Sequence, residues 1–329
     1  MTLSYFSTLA IVTSAVVYLL AMVAHAAEWA FARGTTGAAR TLEVSPNRQA
    51  SGGVAVLDRD GDTEPHSAVS STPESTKTTS FRVDQYGRIG VALTLIAFGS
   101  ALAGVVARGV AAQRPPWGNM YEFVTAAGVL VVALYLVLSV RYDLRWLGLP
   151  VTLLGAVLNG LAATVFYVAI GPLVPALHSV WFVIHIFAAL TAGAAFNLGG
   201  FAAILYLVKA RAEAKGTVTG YLAKLPSADQ IDRLSYRLSA FAFPIWTFTI
   251  VAGAVWAEYA WGRYWGWDPK ETWSLVTWVV YAGYLHARAT AGWKGRRAAW
   301  LAILGLALFW FNFVGVNLLV SGLHSYAGI

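Results

Sequence analysis

Apolar residues fall in eight blocks long enough to cross a bilayer: about 4–25, 88–107, 120–140, 147–170, 180–208, 239–257, 271–288 and 298–320. A membrane-crossing helix needs about 20 mostly apolar residues. Short polar turns separate most of the blocks. The pattern therefore predicts an all-α integral membrane protein of about eight transmembrane helices, with no internal repeat. The first block, within residues 1–27, resembles a secretory signal, because Ala24-His25-Ala26 looks like a small-residue cleavage site. No Lys or Arg precedes it, so it reads as a retained helix.

The segment from 28 to 86 breaks the pattern. Its stretch from about Gly34 to Ser80 is rich in Ser, Thr, Gly and Asp and nearly free of aromatics. Too little apolar surface is available there to offset ordering entropy, which predicts a largely disordered loop. His66 lies in it and reads as a solvated histidine. Residues 87–329 then form a seven-helix domain.

Charge fixes the orientation. With the N-terminus outside, the inner segments hold 19 of the 23 Lys and Arg, leaving Arg108, Arg114, Arg263 and Lys270 outside. Basic residues concentrate on the cytoplasmic side of membrane proteins. The same placement explains the net charge of +7 as a topology signal, so no nucleic-acid partner is expected. Cysteine is absent, which excludes disulfides, thiolate metal sites and a CxxCH haem attachment motif in this chain.

Six of the 14 tryptophans fall between Trp256 and Trp278, three of them in the outer loop after the sixth helix. Interfacial aromatic belts account for one or two per helix end. They do not account for Trp261, Trp265 and Trp267 crowded into a glycine-rich loop. The cluster, with Trp256 and Trp273, suits a large planar ligand with charged edges, and haem is the first candidate. Asp268-Pro269-Lys270-Glu271 reads structurally as the start of the seventh helix: N-cap, proline at the first helical position, and a capping box. Arg263 and Lys270, with Arg114 as a third option, read either as partners for haem propionates or as ordinary loop charges. Pro115-Pro116-Trp117-Gly118-Asn119-Met120-Tyr121-Glu122 opens the third helix with a rigid turn at the same level.

Two histidines share that level. His185 lies about one turn into the fifth helix and His324 just past the eighth; axial imidazoles can saturate haem iron. His286 is 15 residues beyond Glu271, roughly 22 Å deeper at 1.5 Å per residue. An ionisable group there is either functional or a snorkelling interfacial residue beside Arg288. His178 could support the outer pocket, and His25 ends the first helix on the inner side; neither is expected to be essential.

At these residues the chain resembles a known family. Trp261-Gly-Arg-Tyr-Trp-Gly-Trp-Asp-Pro-Lys-Glu-Thr-Trp-Ser-Leu275 is similar to the WWD signature of haem-handling proteins, within a loop spanning 256–275. Val276 to His286 resembles the CcsA/ResC branch, which belongs to the System II route of cytochrome c biogenesis. Pro115–Glu122 and Val174–His185 match further family stretches, so the likeness covers roughly 85–329. The resemblance implies haem transport across the membrane and presentation of haem b outside to apocytochrome c, where thioether bonds form to a CxxCH motif. It implies His185 and His324 as outer axial ligands, His286 as a transmembrane ligand, and the WWD residues as the haem platform. It also implies a ResB/CcsB-like membrane subunit, a thiol reductant system and the plasma membrane of a bacterium. The chain would then be one subunit of a cytochrome c haem lyase complex, not active alone. A haem-delivery chaperone without synthase activity, a Trp-cage transporter of a cationic or sugar-like solute, and a scaffold for its partner are the alternatives.

Overall fold

The computed structural model describes residues 2–42 and 73–324. The main helices are α1 (Leu3–Leu42), α2 (Pro73–Ala112), α3 (Met120–Ser139), α4 (Gly148–Thr164), α5 (Val180–Ala214), α6 (Ala228–Trp261), α7 (Pro269–Ala289) and α8 (Arg296–Trp310). A π-helical segment, Phe311–Gly315, continues α8 into a last short helix, α9 (Val316–Leu319). No strand occurs among the described residues. Seven helical spans are long and apolar enough to cross a membrane. Helix α7, at 21 residues, is long enough but not apolar enough to be among them. The chain is an all-helical integral membrane protein of about eight helices.

Two expected boundaries need correction. The first helix does not end near residue 27, and the second does not begin near 87: α1 runs on to Leu42 and α2 starts at Pro73. Both ends of the expected disordered loop are therefore helical. Hydropathy draws a helix only as far as its apolar run, and Glu28, Asp84 and Arg88 lie beyond it. Residues 43–72, with His66, lie outside the described residues. The overrun also relocates His25. It does not close a helix but sits buried inside α1, with Nδ1 3.5 Å from Glu28 Oε2. Helix α6 likewise begins earlier than expected, at Ala228, where Ser227 and Gln230 form a capping box.

Helix α1 packs chiefly along α2, and α5 along α6. At the outer end, α1 and α2 are tied by Ser7 Oγ donating to the Gly104 carbonyl at 2.7 Å. At the inner end, Arg145 bonds Glu28 at 3.2 Å, and Arg288 forms a two-pronged pair with Asp232 at 2.8 and 2.9 Å.

A buried charge cluster braces the outer end of α2 and α3. Glu122 accepts from Arg108 Nε at 2.9 Å, from Arg114 Nη1 at 2.6 Å and from the Gly118 N–H at 2.8 Å. Arg108 also donates to the Val168 carbonyl at 2.7 Å, which fixes the chain leaving α4. Glu122→Ala strands two guanidiniums, Arg108 fully buried, and is expected to cost about 3–5 kcal/mol, as breaking a buried pair does. The solubilised protein should melt well below wild type; an unchanged melting temperature would dismiss the cluster as a brace.

Candidate functional site

Helix α7 begins as the sequence predicts. Asp268 is the N-cap, accepting from the Lys270 N–H at 3.1 Å, with Pro269 at the first position. Buried Glu271 closes the capping box by accepting from the Asp268 N–H at 3.0 Å. The same carboxylate reaches further back, to the Gly266 N–H at 2.8 Å and to Arg263 at 3.3 Å. Trp267 lies between the two N–H groups it holds, with φ +57°. A bulky side chain in the left-handed region costs on the order of 1–3 kcal/mol. Glu271 holds that conformation from both sides. It directs the Trp267 ring outward, exposed and edge-on to Trp265 at 5.7 Å.

Asp268 does more than cap. Its Oδ2 accepts from the Leu323 N–H at 2.7 Å, and Oδ1 faces His324 Nδ1 at 2.8 Å. The chain after α9 can approach this closely because residue 322 is glycine: a Cβ there would meet Asp268 Oδ2 at 2.6 Å. Burial alone would raise the Asp268 pKa. The His324 bond and the Leu323 and Lys270 N–H groups outweigh it and hold the carboxyl below its ordinary value. Asp268 is therefore an ionised acceptor and His324 Nδ1 carries the proton between them, which in the neutral ring leaves Nε2 with a bare lone pair.

His185 reaches the same state by another route. Its Nδ1 lies 2.9 Å from the Thr249 carbonyl on α6. A carbonyl only accepts, so Nδ1 donates and Nε2 is again bare. The approach depends on Gly253, one turn further along α6: a Cβ there would sit 2.7 Å from His185 Nδ1 and 2.8 Å from Cε1. Trp256, one turn beyond, is buried between the two imidazoles, nearly parallel to His185 at 5.8 Å and edge-on to His324 at 5.5 Å. Its indole N–H donates to the Ala176 carbonyl at 2.8 Å, and Trp261 packs on His324 at 4.9 Å.

Both histidines line the same two cavities. The larger in extent runs from Tyr264, Trp265 and His324 past His185 to Asn197, Trp246 and Phe309 in the bundle. The smaller in extent opens between Trp117, Phe123, Phe182 and Trp256. The walls are apolar and aromatic with few polar groups, the usual make-up of a ligand site. Lys270 lines both. Its ammonium donates to the Asn312 carbonyl at 2.8 Å and the Phe313 carbonyl at 3.4 Å, both in the π segment. Asn312 also lines the larger cavity, and its side-chain oxygen is buried without a partner.

The model of the cytochrome c assembly protein family matches residues 117–324, a stretch that includes both histidines and the whole tryptophan loop. The chain belongs to the cytochrome c assembly protein family. It is a CcsA-type member. It is 40% identical over 232 residues to the cytochrome c biogenesis protein CcsA of Guillardia theta, covering 64% of this chain and 76% of that protein. To the CcsA of Synechococcus sp. (strain JA-3-3Ab) it is 35% identical over 294 residues, covering 73% and 84%. Among solved structures, the cytochrome c heme lyase CcmF shares the fold, with a TM-score of 0.61 at 16% identity. That match covers 95% of this chain, which spans only 47% of the CcmF chain.

The other residues singled out in this CcsA-type sequence are dispersed. Trp265 lines the larger cavity, whereas Trp273 packs against Phe311 at 4.4 Å and lines neither. Arg263 is tied to Glu271 and lies over the Trp261 ring at 5.9 Å, and Arg114 is tied to Glu122. His178 is exposed and outside both cavities, although its neighbour Leu177 lines the smaller. His286 is exposed near the inner end of α7 and lines neither cavity. Sequence reasoning missed Thr249, Gly253 and Asn312; it placed Asp268 in the helix cap and, by resemblance, in the haem platform, but not against His324. A backbone carbonyl and a missing Cβ leave no mark in a residue pattern.

Proposed function

We propose that this chain binds haem as substrate at its outer end, with His185 and His324 as the ligating pair. With a ResB-like membrane subunit, it would join that haem to the CxxCH cysteines of apocytochrome c. One observation carries the reading: two imidazoles border the same cavities, each with Nδ1 committed to a fixed acceptor, so that Nε2 is the nitrogen left for a ligand. Metal-ligating histidines are generally oriented through their other nitrogen in this way. The donor set fits haem iron, and the apolar walls fit a porphyrin face. Membership of a family of cytochrome c assembly proteins supports the same substrate.

The protein's task is placement. Trp256 and Trp261 fix the azimuths of the imidazoles, and Trp265 closes the outer side of the cavity. Lys270 lines both cavities and would meet the haem carboxylates only by leaving the π-segment carbonyls. Each thioether forms by adding a thiol S–H across a vinyl C=C, with no net electron transfer. A reductant is needed only to keep the apocytochrome cysteines as thiols. The chemistry belongs to the cofactor, and holding the reacting edges together is what the protein supplies. His286, exposed on α7, is assigned to a separate, deeper ligand position that the partner subunit completes. The bacterial plasma membrane is the proposed location, with the tryptophan loop on its outer face.

His185→Ala and His324→Ala should each shift or bleach the visible haem spectrum of the complex purified with its partner. Each should also stop holocytochrome c formation. Spectra unchanged in both variants would sink the assignment. A purified wild type without haem would favour a solute transporter instead.

A further inference from the structure

Away from the end that carries His185 and His324, the inner end of the bundle carries an open cleft between the end of α3 and the start of α6. Its rim holds Arg141, just after α3, and Arg233 and Arg237, one turn apart on α6. Its floor includes Leu134, Leu138 and Phe241. The rim is poorly neutralised from within the chain. Arg141 and Arg237 make no ion pair among the described residues, and Arg233 has only exposed Asp229 at 4.0 Å. One further acid, Asp143, lines the cleft, so the rim keeps a positive excess.

We propose that this cleft binds an anionic phospholipid of the inner leaflet. The arginines would take the headgroup phosphate, and the acyl chains would lie along Leu134, Leu138 and Phe241. Three observations select this occupant. The charge distribution along the chain puts this end at the cytoplasmic surface, where anionic lipids attract basic segments. Guanidinium groups suit phosphate oxygens, which they can bind through two parallel hydrogen bonds. The cations stand directly above leucines and a phenylalanine, so the ligand must be anionic at one end and apolar at the other. Haem is also an anionic amphiphile; no His, Met or Cys lines this cleft, and Tyr142 is the one lining side chain of a type that ligates haem iron, so haemin binding is an outcome the test reads. A lipid wedged here would join α3 to α6, the helix that carries Thr249, Gly253 and Trp256.

The test is native mass spectrometry of the full-length protein, delipidated and then offered phosphatidylglycerol or phosphatidylcholine of matched chains. Wild type should retain phosphatidylglycerol selectively. R141Q/R237Q should retain roughly tenfold less, since each basic residue near an anionic lipid surface contributes appreciably. Retention of phosphatidylcholine should stay weak and equal in both. Both arginines are exposed and make no ion pair among the described residues, so their replacement leaves the fold intact. In the unaltered protein, added salt should loosen the anionic lipid, because exposed charges are screened. Equal phosphatidylglycerol retention by wild type and variant overturns the proposal. So does salt-independent retention, or wild type taking phosphatidylcholine as readily. Haemin binding lost in R141Q/R237Q, with lipid retention unaltered, would make the cleft a porphyrin site and overturn it as well.

Discussion

Asp268→Ala should weaken haem binding by roughly 10- to 100-fold, the usual loss when the group orienting a metal-bound histidine is removed. It should also lower stability by about 1 kcal/mol through loss of the α7 cap. The two effects separate in Asp268→Asn. Asparagine caps a helix about as well as aspartate, so the melting temperature should be nearly wild type. It cannot satisfy every contact, however. The aspartate has one oxygen facing His324 and Lys270 and the other facing the Leu323 N–H. The amide must turn an NH2 group towards one of those donors. Haem affinity, followed by titration of the visible spectrum, should fall in both variants. Wild-type affinity in Asp268→Asn would reduce Asp268 to a cap.

Gly253→Ala should damage the site while leaving α6 at least as helical. Alanine in a helix interior is favoured over glycine by about 1 kcal/mol. The added methyl would overlap His185, which must move and lose its bond to the Thr249 carbonyl. The expected outcome is a folded, membrane-inserted protein with a little-changed melting temperature, an altered haem spectrum and a holocytochrome yield reduced at least tenfold, in line with loss of a histidine's orienting partner. A wild-type spectrum and yield would mean that the ring tolerates displacement. Few substitutions favour the helix and oppose the function at one position, which makes the result hard to attribute to misfolding.

Much of this was legible in the residues. Apolar run length exposes the spans because a bilayer imposes one thickness on every helix. The capping box at Asp268 was legible because it is local, three residues wide. The convergence of His185 and His324 followed from counting helix directions. Contacts between distant elements were not legible. Asp268 to His324, and His185 to Thr249, join positions 56 and 64 residues apart. The helical ends of the 28–86 segment were hidden for another reason. Polar residues there fail a hydropathy criterion, but they do not prevent helix.

The π segment at Phe311–Gly315 changes how the last part of the chain is counted. A π turn accommodates one residue more than an α turn, and each α-helical residue advances the azimuth by about 100°. The stretch is thus a phase shifter. Upstream of it, α8 keeps time with the bundle through Phe309; downstream, the backbone is rotated before it turns to deliver His324. His324 and the carbonyls that hold Lys270 are set by the same extra residue, so imidazole placement and cation placement share one structural clock.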